Sequence, residues 1–157
     1  MDIIHLPFEL WTLIIEPLDI KLQVRLIQLC KTIKDKIFIT DLCNINDNLK
    51  IKLNGDIIKK YPHIKKLYAG GNCGINDDSL VGLNLVELNV WDNTKIRKIN
   101  HMTNLRILYA GGSLCGINDD DIVGLNLVEL NVSDNKKIKN TSHMSTLKIL
   151  NEYCIRK

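Results

Sequence analysis

The sequence predicts an α/β chain in two parts: an N-terminal helical segment, then a short solenoid carrying a parallel β-sheet on its concave face. Three observations carry this reading. The block GINDDSLVGLNLVELNVWDN, from Gly74, recurs as GINDDDIVGLNLVELNVSDN from Gly116, 42 residues later. Inside each copy the aliphatics alternate as in a strand with one buried face, and before residue 41 they recur at helical spacing instead. Self-similarity at a fixed period marks repeats that stack to share one core.

The helical segment spans residues 1–41. Leu6, Pro7, Leu10, Ile14, Leu18, Leu22, Leu26, Leu29, Ile33 and Ile37 follow helical intervals. Pro7 suits a first helical turn, Pro17 predicts a break, and Asp19 can cap a second helix. A segment under about 40 residues rarely supports its own core, so this one must lean on the rest of the chain or on another protein.

Leu6-Pro7, Glu9, Leu10, Ile14, Leu18-Asp19 and the closing Leu29-Cys30-Lys31 together resemble the F-box, and the alignment runs without a gap. Ile33 stands where that family usually has tryptophan. The resemblance implies docking to a Skp-family adaptor, and through it to a cullin ubiquitin ligase. Leu6, Pro7, Leu10, Ile14, Leu18, Leu29 and Cys30 would form the adaptor-binding surface.

Residues 42–63 read as a linker with a degenerate repeat, its strand expected at Leu49, Ile51 and Asn54, capping the array. The formal charge of +3 is concentrated here: residues 43–66 hold six lysines against two acids. A nucleic-acid surface needs a broader basic face with stacking aromatics, so a solvated surface is the better reading.

Residues 64–157 hold the repeats. Leu85, Leu88, Val90 and Asn93 spell LxxLxLxxN, and Leu127, Leu130, Val132 and Asn135 repeat it. This resembles the leucine-rich repeat. Ile64, Leu67, Ala69 and Asn72, then Leu105, Leu108, Ala110 and Ser113, give a variant with alanine at the third aliphatic place. Starts near 64, 85, 105, 127 and 147 are 20–22 residues apart. Each LxL core predicts a parallel strand, with Asn93 and Asn135 turned inward to satisfy backbone groups that no ladder reaches. Ile96, Ile99, Met102, Ile138 and Met144 should fill the convex side. Asn76 or Asp77, and Asn118 or Asp119, can each cap a short helix.

No catalytic constellation stands out, and no enzyme, metal or cofactor is expected. Cys30, Cys43, Cys73, Cys115 and Cys154 form no CxxC pair and read as small buried hydrophobes. The adjacent Asp119, Asp120 and Asp121 lack the alternating spacing of a calcium loop. His101 and His143 occupy matching repeat places and read as structural. The glycines after Ala69 and Ala110 lack the Lys-Ser/Thr of a phosphate loop and suit a tight turn.

The outward positions of the sheet are the informative ones. Tyr68, Asn89, Tyr109 and Asn131 form one column, Trp91 and Ser133 lie two places on, and Glu87 flanks them. Tyrosine and tryptophan on an exposed face are enriched at binding hot spots. These seven residues are the candidate target-binding set, on a face about 20 Å wide.

F-box proteins commonly carry leucine-rich repeats as their substrate-binding half. The Asn- and Ile-rich repeats here look like those of large DNA viruses of amoebae. The resemblance therefore implies a substrate-recognition adaptor of a Skp-cullin-F-box type ubiquitin ligase. The alternative is a stand-alone interaction or inhibitor module whose N-terminal helices only cap the solenoid. No apolar run reaches the roughly 18 residues of a membrane span and Asp2 follows no basic leader, so a cytoplasmic protein is expected (host cytoplasm if viral), the nucleus being the other compartment.

Overall fold

Alternation within each LxL triplet allows only one residue in two to face a core, and the chain uses that restriction six times. The computed structural model describes residues 13–14, 17–29, 39–45 and 47–151. The protein is α/β, and its described residues form one six-stranded parallel sheet whose strands lie side by side in chain order. They are β1 (Asp41–Leu42), β2 (Lys66–Tyr68), β3 (Glu87–Asn89), β4 (Ile107–Tyr109), β5 (Glu129–Asn131) and β6 (Ile149–Asn151). The register pairs Leu42, Leu67, Leu88, Leu108, Leu130 and Leu150 in one line. The first five are buried, while Leu150 on the edge strand is exposed.

Parallel neighbours need a crossover to bring the chain back to the start of the next strand. Here the return runs through single helical turns and short loops, whose Ile58, Ile75, Leu80, Ile96, Ile99, Ile117 and Ile122 close the other side of the core. Three of these turns share one start. Asn54 accepts from the Ile57 N–H at the head of α3 (Gly55–Ile58), and Asn76 from Ser79 N–H at the head of α4 (Asp77–Leu80). Asn118 opens the 3₁₀ turn Asp119–Ile122, and Asp121 Oδ2 accepts back from the Asn118 N–H. Asparagine, rather than the following aspartate, is thus the cap. Asp77 and Asp119 instead reach into the next repeat, each Oδ1 accepting two backbone N–H groups, from Arg97 and Lys98 and from Lys139 and Asn140.

The turn after each of β2 to β5 has one residue with positive φ, at the fourth place from the central leucine. Gly71 (+62°), Asp92 (+53°), Gly112 (+87°) and Asp134 (+62°) supply it in successive repeats. Glycine and aspartate tolerate that conformation best among the residues available.

Inside the turn, Asn93 and Asn135 are buried. Asn93 Nδ2 donates to the carbonyls of Ala69 (2.6 Å) and Ile75 (3.3 Å) in the preceding repeat, and its Oδ1 accepts from Lys95 N–H at 2.7 Å. Asn135 makes the same set to Ala110, Ile117 and Lys137. In the alanine-type repeats, the expected Asn72 and Ser113 are exposed, and the buried position is taken by Cys73 and Cys115. One extra residue in the first loop and two in the second move the inward site past its usual place. Cys115 Sγ lies 3.6 Å from Val90 O, the counterpart of the Asn93–Ala69 contact.

The N-terminal strand also departs from expectation. It is β1, where Ile39 and Leu42 are buried and Leu42 pairs with Leu67, and not a strand at Leu49, Ile51 and Asn54. Asp47–Lys50 is instead a helical turn, α2, Ile51 is exposed, and Asn54 caps α3. A boundary between residues 41 and 42 therefore cuts through β1. Ahead of it, α1 (Ile20–Leu29) begins at Asp19, whose Oδ1 accepts from Lys21 and Leu22 N–H as an N-cap. Ile20 and Val24 of α1 pack against the core, as does Leu49.

Replacing Asn93 with Ala should cost about 2–4 kcal/mol, because Ala69 O, Ile75 O and Lys95 N–H all lose a buried partner. Urea unfolding would read this as a lower midpoint at unchanged slope. Asn93→Cys, which copies the neighbouring repeat, should cost less; equal losses for the two variants would contradict the account.

Candidate functional site

The outward face of the sheet is built from three columns crossing the strands. By register, the first is Asp41, Lys66, Glu87, Ile107, Glu129 and Ile149, and the second holds Tyr68, Asn89, Tyr109, Asn131 and Asn151. The third, just past the strands, is Gly70, Trp91, Gly111 and Ser133, joined by bonds from Gly71 N–H to Trp91 O, Asp92 N–H to Gly111 O and Gly112 N–H to Ser133 O. The structure thus brings Tyr68, Glu87, Asn89, Trp91, Tyr109 and Asn131 together on one face, each half-buried.

Ser133 is the exception. It retains only 8% of its exposure and belongs to the turn rather than to the open surface. Its N–H donates to Asn131 Oδ1, its carbonyl accepts from Gly112, and a side chain this short does not clear the backbone that holds it.

The glycines decide how the aromatic rings lie. A Cβ on Gly111 would run into Cζ3, Cε3 and Cη2 of Trp91, so the indole lies across this residue. A Cβ on Gly70 would come 2.9 Å from the Tyr68 ring and hydroxyl. Each ring therefore rests on a glycine in the third column. The sequence places Gly70 and Gly111 in one outward column with Trp91, but the seating of the rings on these glycines was missed, because they were read as opening tight turns.

Charge on the face is mostly negative. Glu87 Oε2 lies 3.7 Å from Lys66 Nζ. Burial first, then the charges of Glu87 and Asp41, push the Cys43 thiol up to about 12. The Tyr109 phenol also rises to about 12, through desolvation and then its bond to Glu129, with Glu87 adding to the effect. Asn89 and Asn131 each use Oδ1 to accept a backbone N–H two residues on, from Trp91 and Ser133, both at 3.0 Å. Their Nδ2 groups make no hydrogen bond among the described residues. Lys50 Nζ sits 4.6 Å from the centre of the Tyr68 ring, so one aromatic face already carries a cation.

Of the adaptor-binding residues expected from sequence, Leu6, Pro7, Leu10 and Cys30 lie outside the described residues, and Leu29 ends α1. Ile14 is 47% exposed and Leu18 half-buried, while neighbouring Leu13 and Leu22 are 70% and 43% exposed. A cleft of about 670 Å³ opens beside Ile20, Leu22, Val24 and Leu49, where α1 meets the array.

His101 and His143 are exposed, next to the buried Met102 and Met144. Among the described residues no three histidine, cysteine or acidic side chains gather as a metal site, and no helix is long and apolar enough to cross a membrane. No protein-family model, curated protein or solved structure matches this chain.

Gly111→Ala should lift the Trp91 indole and shift its fluorescence to longer wavelength, read in a Trp11→Phe background; unchanged emission would place the ring elsewhere. Cys43 should alkylate slowly at pH 8.5 despite its partial exposure, and Glu87→Gln should speed it, as followed by mass spectrometry of the Cys43 peptide. The raised pKa favours the neutral thiol in the folded state. Its contribution to stability is therefore full below about pH 9 and is lost as pH rises towards about 12.

Proposed function

We propose that the protein is a non-catalytic recognition subunit, in which an N-terminal F-box docks a Skp-family adaptor and a leucine-rich-repeat solenoid holds a target protein on its concave face. The observation that carries this is a pair of unsatisfied surfaces. Leu13, Ile14 and Leu22 leave large apolar side chains in solvent beside an array that starts with its own strand, and Tyr68, Trp91 and Tyr109 crowd one face of a sheet whose other face is a filled core. Contiguous exposed apolar groups commonly mark interaction surfaces.

In this reading the chain contributes position and no chemistry: the adaptor brings a cullin ubiquitin ligase, and the repeats hold a target within its reach. Such a protein would work in the cytoplasm or nucleus. The stand-alone interaction module remains a second reading because Ile20 and Val24 pack α1 against the core, as a simple cap would.

Capture by an immobilised Skp-family protein separates the two. The intact chain should be retained, and the double substitution Leu6→Ala with Pro7→Ala should abolish retention while the thermal transition of the repeats stays in place. No retention of the intact chain would leave the stand-alone module as the answer.

A further inference from the structure

We infer that the outward face of the sheet binds an extended, polyproline-like segment of a partner that carries Lys or Arg at every third residue. This rests on the reading of that face as the target-binding surface and specifies its ligand. The two repeat types alternate, so chemistry on the face alternates with strand number. Glu87 and Glu129 stand on β3 and β5 with Ile107 between them, and Asp41 stands on β1. Tyr68 and Tyr109 stand on β2 and β4.

Spacing selects the ligand's conformation. Strands lie about 4.8 Å apart, so equivalent groups on alternate strands are about 9.6 Å apart. Three residues of a polyproline-type helix advance about 9.3 Å, which keeps every third side chain in step with the carboxylates. The same strands that carry Glu87 and Glu129 also carry Asn89 and Asn131, whose Nδ2 donors make no hydrogen bond among the described residues. A polyproline-type segment leaves all its carbonyls free to accept such bonds, whereas an α-helix uses its own internally. Aromatic grooves are the usual seat for such segments.

Charge and ring chemistry select the side chains. Along the first column the three carboxylates face one lysine, Lys66, and its contact with Glu87 is a long one at 3.7 Å. Asp41 binds its own loop through Cys43 N–H and Asn44, so it adds charge rather than a free acceptor. Tyr109 lies under the influence of both Glu87 and Glu129, an aromatic surface flanked by negative charge. The protein's own Lys50 on the Tyr68 ring is an intramolecular example of the same pairing.

The test uses the full chain carrying Trp11→Phe, with Trp91 fluorescence and calorimetry as readouts, against three proline-rich peptides. One carries lysine at every third residue, one has the same composition with its lysines clustered, and one replaces every lysine with alanine. The period-three peptide should bind about tenfold more tightly than the clustered one at low salt, and Glu129→Gln should weaken it about fivefold while circular dichroism shows an unchanged fold. Equal binding of all three peptides would overturn the charge and spacing argument and leave the face as a target-binding surface. No binding of the period-three peptide would overturn the inference, while the adaptor capture experiment still decides the broader reading.

Discussion

The amide of Asn93, buried and spanning two repeats, shows the constraint on which the rest of the molecule depends. Each of β2 to β5 is three residues long and is followed by a turn that carries the chain inward, where sheet bonding stops and water does not reach. The carbonyls of Ala69, Ile75, Ala110 and Ile117 end up there. An unpaired buried carbonyl costs about 1–3 kcal/mol, which a chain of this size cannot absorb at every repeat. Asn93 and Asn135 meet the need with a side chain that both donates and accepts, while the Cys115 thiol adds a weaker contact to Val90 O, which already accepts from Asn93 N–H. Lys95 and Lys137 add a second tie, their ammonium groups donating to the carbonyls of Cys73 and Cys115.

This inward ladder also sets what faces outward. To turn Asn93 into the core, the residue before it must take positive φ, and Asp92 does so. Three residues before Asp92 the strand ends, at Asn89, and the register of Leu88 with Leu67 and Leu108 follows. Once the leucines align, Glu87, Asn89, Tyr68 and Tyr109 have no choice of column. The placement of the face therefore follows from the core, column by column. The alternation of acid-bearing and tyrosine-bearing strands is the trace of two repeat types that solve the same inward problem with different atoms.

Much of this was legible in the sequence because period and chemistry agreed. The LxL triplets and the inward Asn93 and Asn135 rest on local rules; the caps were narrowed only to Asn76 or Asp77 and to Asn118 or Asp119, and Asn54 was expected in a strand. The outward set was legible too, because alternation leaves no freedom once the inward leucines are known. Cys73 and Cys115 were displaced by insertions of one and two residues, and a fixed spacing template pointed at Asn72 and Ser113 instead. β1 was hidden for a similar reason: Ile39 and Leu42 sit 25 residues before Ile64 and Leu67, outside the 20–22 residue period. The seating of Tyr68 and Trp91 on glycines, and the burial of Ser133, depend on neighbours in adjacent repeats and have no local sequence rule.

The N-terminal helix brings structure and proposed function together. Ile20 and Val24, four residues apart, lie on one face of α1 and pack on the core, while Leu22 projects elsewhere and is 43% exposed. A fully buried Ile or Val is worth about 1.5–3 kcal/mol, so two partly buried ones hold α1 to the array without exhausting its apolar surface. Capping and docking are then not rival uses of the segment. A docking helix tied to the array by its inner face cannot swing freely, so an adaptor bound to its outer residues would be held in one orientation relative to the target face. For a subunit that works by placement alone, the contact of Ile20 and Val24 with the core would be what transmits that placement.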